Sequence, residues 1–238
     1  MGLWSSIKNK IKKAAKKVWR VVKAVVRVVV RVVMTVVGLV LGIFDLLLGF
    51  VAWPPKKLRL HIFILSDQNG PLVNPSDLTL AIDFARKTLK DRFNVKLLPY
   101  SEGMVEIITA PAPSAALVVH CDSGAFKEEF GEAGEYFAKH LAGWNAIPIS
   151  LTFPITAFVV RDIVGKQGCS LGPLSDYLTL DLAGVKSDST LAHEIGHSCS
   201  LWHSKTQSNL MWPDTKRGNQ VKWFQKNLLR SSRHVMYW

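Results

Sequence analysis

The segment at residues 193–203, HEIGHSCSLWH, constrains the fold of this chain more than any other part of its sequence. His193 and His197 are four residues apart, so on a helix their imidazoles leave the same face about one turn apart and can bind one metal ion. His203 follows six residues after His197, which is too far along the helix for that face. The helix must therefore end, and the chain must turn back, for His203 to be a third ligand.

Three neutral imidazoles leave one coordination position of a zinc ion open, which distinguishes a catalytic site from a closed structural one. Glu194 lies beside these ligands and is the candidate general base, because a carboxylate there can take a proton from a water that zinc has activated. The alternative is an ordinary helix that carries HExxH by chance, and the third histidine argues against it. The sequence predicts Zn²⁺ held by His193, His197 and His203.

A methionine follows this motif at a short distance. Residues 208–213, SNLMWP, place Met211 eight residues after His203. The motif and this methionine together resemble the metzincin clan of zinc endopeptidases, whose pattern is HExxHxxGxxH followed by a methionine turn. The specific motifs occupy residues 193–213, whereas the order of elements is similar over roughly residues 58–230.

The resemblance implies an α/β (α+β) fold, in which a twisted, mainly parallel sheet and helices lie above an active-site helix and a Met turn. It implies that Met211 forms a hydrophobic floor under the metal. It also implies a protein or peptide substrate, for which Glu194 is general base and then proton donor to the leaving amine. In this family the substrate extends along an edge strand, and residues 157–161 are the positions here most like that edge.

Ser200 departs from the clan pattern, which has glycine at this position. Glycine serves there because the chain leaves the helix with a positive φ. That conformation costs a residue with a Cβ about 1–2 kcal/mol. A packed domain tolerates this cost, so the departure concerns the geometry of the turn and leaves the ligands intact.

Charge divides the chain into two parts. Residues 1–59 hold thirteen of the thirty Lys and Arg residues but only one of the eighteen acids, Asp45, whereas residues 60–238 are neutral overall. A nucleic-acid-binding face would spread its cations over a folded surface or interleave them with aromatic residues. Here the cations alternate with valine, so we expect no nucleic-acid partner.

Residues 1–31 are predicted to form a basic amphipathic helix. Cations recur every three or four residues and face a stripe of aliphatic residues, a pattern typical of a helix in a membrane interface with its cations near anionic lipid headgroups. The alternative is a charged face packed on a protein core. The cations are Lys8, Lys12, Lys16, Arg20, Lys23, Arg27 and Arg31, opposite Ile11, Val18, Val22, Val25, Val29 and Val32.

Residues 32–53 contain no Lys or Arg and are long enough to cross a hydrocarbon core of about 30 Å, although Asp45 opposes insertion. We therefore expect a hydrophobic membrane segment, single-pass or interfacial, followed by a linker at 54–57 and a zinc metalloprotease domain at 58–238. The positive-inside rule places the basic helix in the cytoplasm and the zinc domain on the non-cytoplasmic side. A re-entrant hairpin or a helix lying flat would keep both on one side.

The zinc domain is predicted to alternate strands with helices. The strands are expected at 58–65, 105–109, 116–119, 157–161 and 177–182, and the helices at 77–93, 127–141, from 187–189 through the zinc motif, and 219–229. Among the three cysteines, a Cys169–Cys199 disulfide and buried free thiols are equally open, and Cys121 has no assigned partner.

The whole sequence is interpreted as a membrane-anchored, zinc-dependent endopeptidase. One alternative is a non-catalytic zinc-binding module, against which the intact Glu194 argues, because a pure binding role needs no base. Another is a membrane-active cationic helix with an accessory zinc domain. The cleavage specificity and the oligomeric state stay open.

Overall fold

The computed structural model describes residues 2–48, 54–121, 131–141 and 153–237. The helices in these ranges are α1 (Gly2–Leu48), α2 (Thr79–Phe93), α3 (Ser114–Leu117), α4 (Glu132–Lys139), α5 (Leu182–Lys186), α6 (Thr190–Ser198) and α7 (Trp223–Arg230). The strands are β1 (Lys56–Asp67), β2 (Gly70–Pro71), β3 (Val95–Pro99), β4 (Val105–Pro111), β5 (Val118–Val119), β6 (Ile155–Val159), β7 (Asp162–Ile163), β8 (Gly168–Ser170), β9 (Tyr177–Leu180) and β10 (Val235–Met236).

The main sheet is built on the long strand β1 and is mostly parallel. β1 runs parallel to β3, β4 and β6, and β6 runs parallel to β9. The antiparallel strand β8 pairs with β9 and ends this order among the described strands. The prediction of a mixed α/β fold with a mainly parallel sheet is therefore confirmed. β1 begins at Lys56, so two residues assigned to the linker belong to this strand.

Both faces of this sheet are covered, because successive side chains of a strand point to opposite faces. On one face Leu60, Ile62 and Ile64 pack with residues of α2 and α6. On the other face Phe63 and Leu65 pack with residues of α4 and with aromatic side chains of the neighbouring strands. The continuously apolar second half of β1 therefore has the burial that its sequence predicts.

The expected edge strand lies inside the sheet. β6 is paired with β1 on one side and with β9 on the other, so the prediction of an edge at residues 157–161 is wrong. The last strand on this side is β8, which has only three residues. A segment as short as Gly168–Ser170 carries no periodic pattern, so this strand could not be predicted from the sequence.

The disulfide joins Cys121 to Cys169, whose Cα atoms are 6.4 Å apart, and leaves Cys199 as a buried free thiol. The predicted alternative of a Cys169–Cys199 disulfide is wrong. Cys169 packs in the apolar layer on one face of the sheet, whereas Cys199 packs in the layer on the other. Burial raises the pKa of the Cys199 thiol to about 12.

Part of the predicted helix at residues 127–141 is present as α4. The first four residues of the predicted helix, 127–130, lie outside the described ranges.

Helix α1 continues without a break from Gly2 to Leu48, so it joins the predicted basic helix to most of the predicted hydrophobic segment. In the described part of the chain, no helix combines the length and the apolar character needed to span a bilayer. The last residues of the predicted segment, 49–53, lie outside the described ranges. The prediction of a membrane-spanning helix therefore has no support here.

The second half of α1 lies against the zinc domain. Arg31 is fully buried, and its Nε donates a 2.7 Å hydrogen bond to Oδ2 of Asp176, so this cation does not belong to the exposed stripe. Arg233 also pairs with Asp176. Further along, a Cβ on Gly38 would lie 2.6 Å from the Ser231 carbonyl oxygen, so the absence of a side chain permits this close approach.

Candidate metal centre and its cleft

The turn after α6 determines whether the three histidines can meet. Ser200 has a φ of 71°, the left-handed conformation that the resemblance implies for this position. The Leu201 N–H donates to the Gly196 carbonyl at 2.9 Å, and the Ser200 N–H donates to the His197 carbonyl at 3.0 Å. These two bonds form a Schellman motif, which satisfies the last carbonyls of the helix and reverses the chain.

The reversal brings three imidazole nitrogens together. Nε2 of His197 lies 3.1 Å from Nε2 of His193 and 3.1 Å from Nε2 of His203. One ligand atom from each histidine lies within 4.8 Å of the other two. Three nitrogens bound to one tetrahedral zinc ion would be about 3.3 Å apart. The three predicted ligands therefore form a cluster that can hold Zn²⁺.

Backbone carbonyls fix the orientation of two of these rings. Nδ1 of His193 donates to the Leu210 carbonyl at 2.9 Å, and Nδ1 of His197 donates to the Leu201 carbonyl at 2.8 Å. Because a carbonyl can only accept, each ring carries its proton on Nδ1 and leaves the Nε2 lone pair for a metal. Each acceptor lies in one of the two turns that follow α6.

Burial keeps the imidazoles neutral. Desolvation lowers the pKa of His193 to about 3 and that of His197 to about 4, and it also lowers the pKa of the more exposed His203. A neutral imidazole is the form that binds metal. The cluster is therefore in its metal-binding state at neutral pH.

Glu194 is buried beside this cluster. Burial raises the pKa of its carboxyl to about 7, although Arg217, the Ser170 N–H and Lys166 favour the ionised form. Strand β8 passes directly over the carboxylate, because a Cβ on Gly168 would lie 2.8 Å from both Cγ and Oε1 of Glu194. Gly168 is thus required at this close approach, and nothing in the sequence pattern singles it out.

Met211 is fully buried under α6, in the turn that follows His203. A Cβ on Gly196 would lie 2.6 Å from the Met211 sulfur, so the glycine of the HEIGH segment allows the turn to pack against the helix. The Met211 N–H donates to Oδ1 of Asn209 at 2.9 Å, and the Asn209 amide donates to Oε1 of Gln225 at 2.9 Å. This buried amide pair links the turn to α7, and no sequence motif indicates it.

The cluster opens into a cavity of about 1130 Å³. One wall is formed by residues 165–173, which include β8 and the disulfide, and the other wall includes residues 200–203 and 213–215. His197, His203 and Glu194 all contribute to its lining. A substrate in this cavity would meet both the metal ligands and the buried carboxylate.

Comparisons with known proteins find similarity among solved structures. No protein-family model and no curated protein matches the chain. The chain is similar to the crystal structure of metalloproteinase-II from Bacteroides fragilis, with a TM-score of 0.47 and 15% sequence identity. The match covers 72% of this chain and 52% of that chain, so the present chain spans about half the length of that protein.

Replacing Ser200 by glycine should stabilise the protein by about 1 kcal/mol, because glycine adopts a positive φ without the steric cost of a Cβ. Urea unfolding of the metal-free chain measures the change. Ser187→Gly is the control at a negative φ of −84°, and it should destabilise the protein because it also removes the 2.8 Å hydrogen bond that the Thr190 hydroxyl donates to Ser187. An equal response of the two variants would contradict the assigned strain.

Replacing Gly168 by alanine should destabilise the protein by about 1–3 kcal/mol, because the added methyl group meets Glu194 and Thr190 at 2.8 Å. Zinc stoichiometry should be unchanged, since the histidines are not touched. Gly103→Ala is the control, because the nearest atom to its Cβ would be 3.7 Å away. Urea unfolding and metal analysis are the measurements, and a neutral result at Gly168 would refute the close approach.

Proposed function

We propose that this chain is a zinc-dependent endopeptidase that hydrolyses peptide bonds of proteins or peptides. The observation that carries the proposal is the convergence of His193, His197 and His203 on one point, beside a buried glutamate and at the edge of a large cavity. Three imidazole ligands leave room for a substrate at the metal. The buried carboxylate supplies the acid–base group that hydrolysis needs.

Glu194 carries the proton transfers. Zinc, when bound, lowers the pKa of a water and polarises the carbonyl under attack. With a pKa raised to about 7 by burial, Glu194 can both take a proton and return it near neutral pH. We assign it as general base in the attack and as proton donor to the leaving amine.

The cavity supports an extended peptide as the substrate. Strand β8 ends the described sheet and forms part of the cavity wall, so a peptide lying along it could add main-chain hydrogen bonds in the manner of an extra strand. The Ser170 N–H of this strand favours the ionised form of Glu194. The same strand would therefore support both the substrate and the general base.

A non-catalytic zinc-binding module is the alternative. A buried carboxylate of raised pKa is costly and contributes nothing to holding a metal, whereas it suits proton transfer. This observation favours the enzyme.

Glu194→Gln should bind one zinc per chain and lose turnover by about 10²–10⁴-fold, because glutamine cannot take up the proton. The measurement is chelator-sensitive cleavage of a diverse peptide library by the zinc-loaded full chain, together with metal analysis. Glu102→Gln, at an exposed position, is the control. Unchanged turnover in Glu194→Gln would refute the assigned base, and a wild-type chain without chelator-sensitive cleavage would favour the binding module.

We also propose that the first part of α1 lies on an anionic membrane surface. Its lysines Lys8, Lys12 and Lys16 are exposed, and so are apolar side chains such as Val18 and Val29, which are 62% and 55% exposed. A helix with cations on one face and exposed aliphatic residues on the other binds headgroups and acyl chains together. Docking of Arg31 and Gly38 on the zinc domain would then hold that domain at the membrane.

Sedimentation with vesicles tests this surface. The full chain should bind vesicles that contain phosphatidylglycerol and should bind phosphatidylcholine vesicles far less, with binding weakened by salt. Replacing Lys8, Lys12 and Lys16 by glutamine should reduce binding about tenfold or more. The same change at the exposed lysines Lys87, Lys90 and Lys96 is the matched control. Equal losses in both triple variants would contradict the proposal, and dye release would favour the membrane-active alternative.

We further propose that the zinc domain works on the non-cytoplasmic side of that membrane. The Cys121–Cys169 disulfide supports this location, because disulfides persist in oxidising compartments and are rare in the cytosol. Thiol titration of the denatured, unreduced chain should detect Cys199 alone, and reduction should reveal two more thiols. Three thiols before reduction would contradict the proposed compartment.

A further inference from the structure

Arg217 is a cation in the cavity wall that the proposed mechanism does not use. It follows Met211 by six residues and lines the same cavity as Glu194 and His203. Its Nε donates to the Asp214 carbonyl at 2.8 Å, and its Nη2 lies 3.5 Å from the Pro213 carbonyl. Carbonyls of its own loop therefore hold one edge of the guanidinium in place.

The third nitrogen of Arg217 has no such acceptor. Its Nη1 is buried, and no residue in the described part of the chain accepts a hydrogen bond from it. Leaving a buried cationic donor without an acceptor costs more free energy than leaving a neutral donor without one. The Arg217 guanidinium is therefore suited to bind an anion. Arginine also binds carboxylates with a geometry that lysine does not match.

The charged side chains that line this cavity balance in the absence of a metal ion. Lys166 lines the cavity together with Arg217, and the lining anions are Glu194 and Asp214. The Asp214 carboxylate accepts hydrogen bonds from the Thr215 hydroxyl and the Lys216 N–H, so it is engaged within its own loop. A bound metal ion would make the net charge of this cavity positive.

The charge of Arg217 also acts on the metal ligands and on Glu194. Its charge contributes to the lowered pKa values of all three histidines and opposes the raised pKa of Glu194. Because Arg217 lines the same cavity as Glu194 and His203, a substrate bound at the metal can place an acidic side chain on it.

On the basis of the proposed endopeptidase activity, we propose that Arg217 binds an acidic side chain of the substrate near the scissile bond. The preferred substrates are then peptides with Asp or Glu at that position. The carboxylate of that Asp or Glu binds the Arg217 guanidinium, which the loop carbonyls hold in the cavity wall.

A purely positioning role is the competing explanation. Arg217 could act only on Glu194 by favouring its ionised form. In that case Arg217→Gln would shift the pH profile of cleavage equally for acidic and neutral peptides. A substrate-binding role instead changes the discrimination between them.

The test uses two pools of random fluorescent hexapeptides that are identical except for a fixed central Asp or Asn. Binding to the zinc-loaded full chain with Glu194→Gln is measured by fluorescence anisotropy, so the readout does not require turnover. We expect the Asp pool to bind about tenfold more tightly, because its carboxylate forms a charge-assisted hydrogen bond with Arg217 that the Asn amide does not form. Adding Arg217→Gln should abolish the difference, and Arg217→Lys should keep part of it.

Lys216→Gln is the matched control, because it removes the same charge from the same loop at an exposed residue outside the cavity lining. It should leave the preference for Asp intact. Equal binding of the two pools, or a preference that survives Arg217→Gln, would overturn the proposal. Cleavage of the peptide library by the wild-type chain separates the two proposals. Cleavage without acidic preference refutes the role of Arg217 alone, whereas no cleavage refutes the endopeptidase.

Discussion

The reversal of the chain at Ser200 is the constraint on which the metal centre depends. Without the left-handed residue, α6 would continue and carry the chain away from its own two histidines, and His203 could not approach them. The same turn supplies the Leu201 carbonyl that accepts the Nδ1 proton of His197. One local conformation therefore brings in the third ligand and also sets the tautomer of the second.

Around this turn, the structure uses close backbone approach rather than large side chains. Gly196 lets Met211 pack under the helix, and Gly168 lets β8 pass over Glu194. Both contacts remove water from the carboxylate and the imidazoles, which raises the pKa of Glu194 and lowers those of His193 and His197. The proposed acid–base chemistry thus follows from packing, and the cavity beside it gives a substrate access.

The sequence was most informative where structure is local. The ligand spacing, the turn at Ser200 and the position of Met211 all lie within about twenty residues, where helix geometry limits the possibilities.

The sequence was misleading where strands or cysteines pair across long stretches of the chain. Cys169 pairs with Cys121 because both lie on one side of the sheet, and β6 is interior because β9 pairs with its outer side. Periodicity does not encode either relation. The change of composition after residue 31 also led to the prediction of two separate segments, although α1 continues through it and docks on the zinc domain through Arg31.

The central claim is that three imidazoles bind one zinc ion and leave Glu194 outside its coordination. X-ray absorption at the zinc edge of the zinc-loaded full chain tests this most directly. We expect three nitrogen neighbours at about 2.0–2.1 Å, a light-atom ligand in the open position and no sulfur. The same spectrum should be obtained for Glu194→Gln, because the carboxylate is not a ligand. A sulfur neighbour at about 2.3 Å, or the loss of an imidazole from the spectrum, would contradict the site.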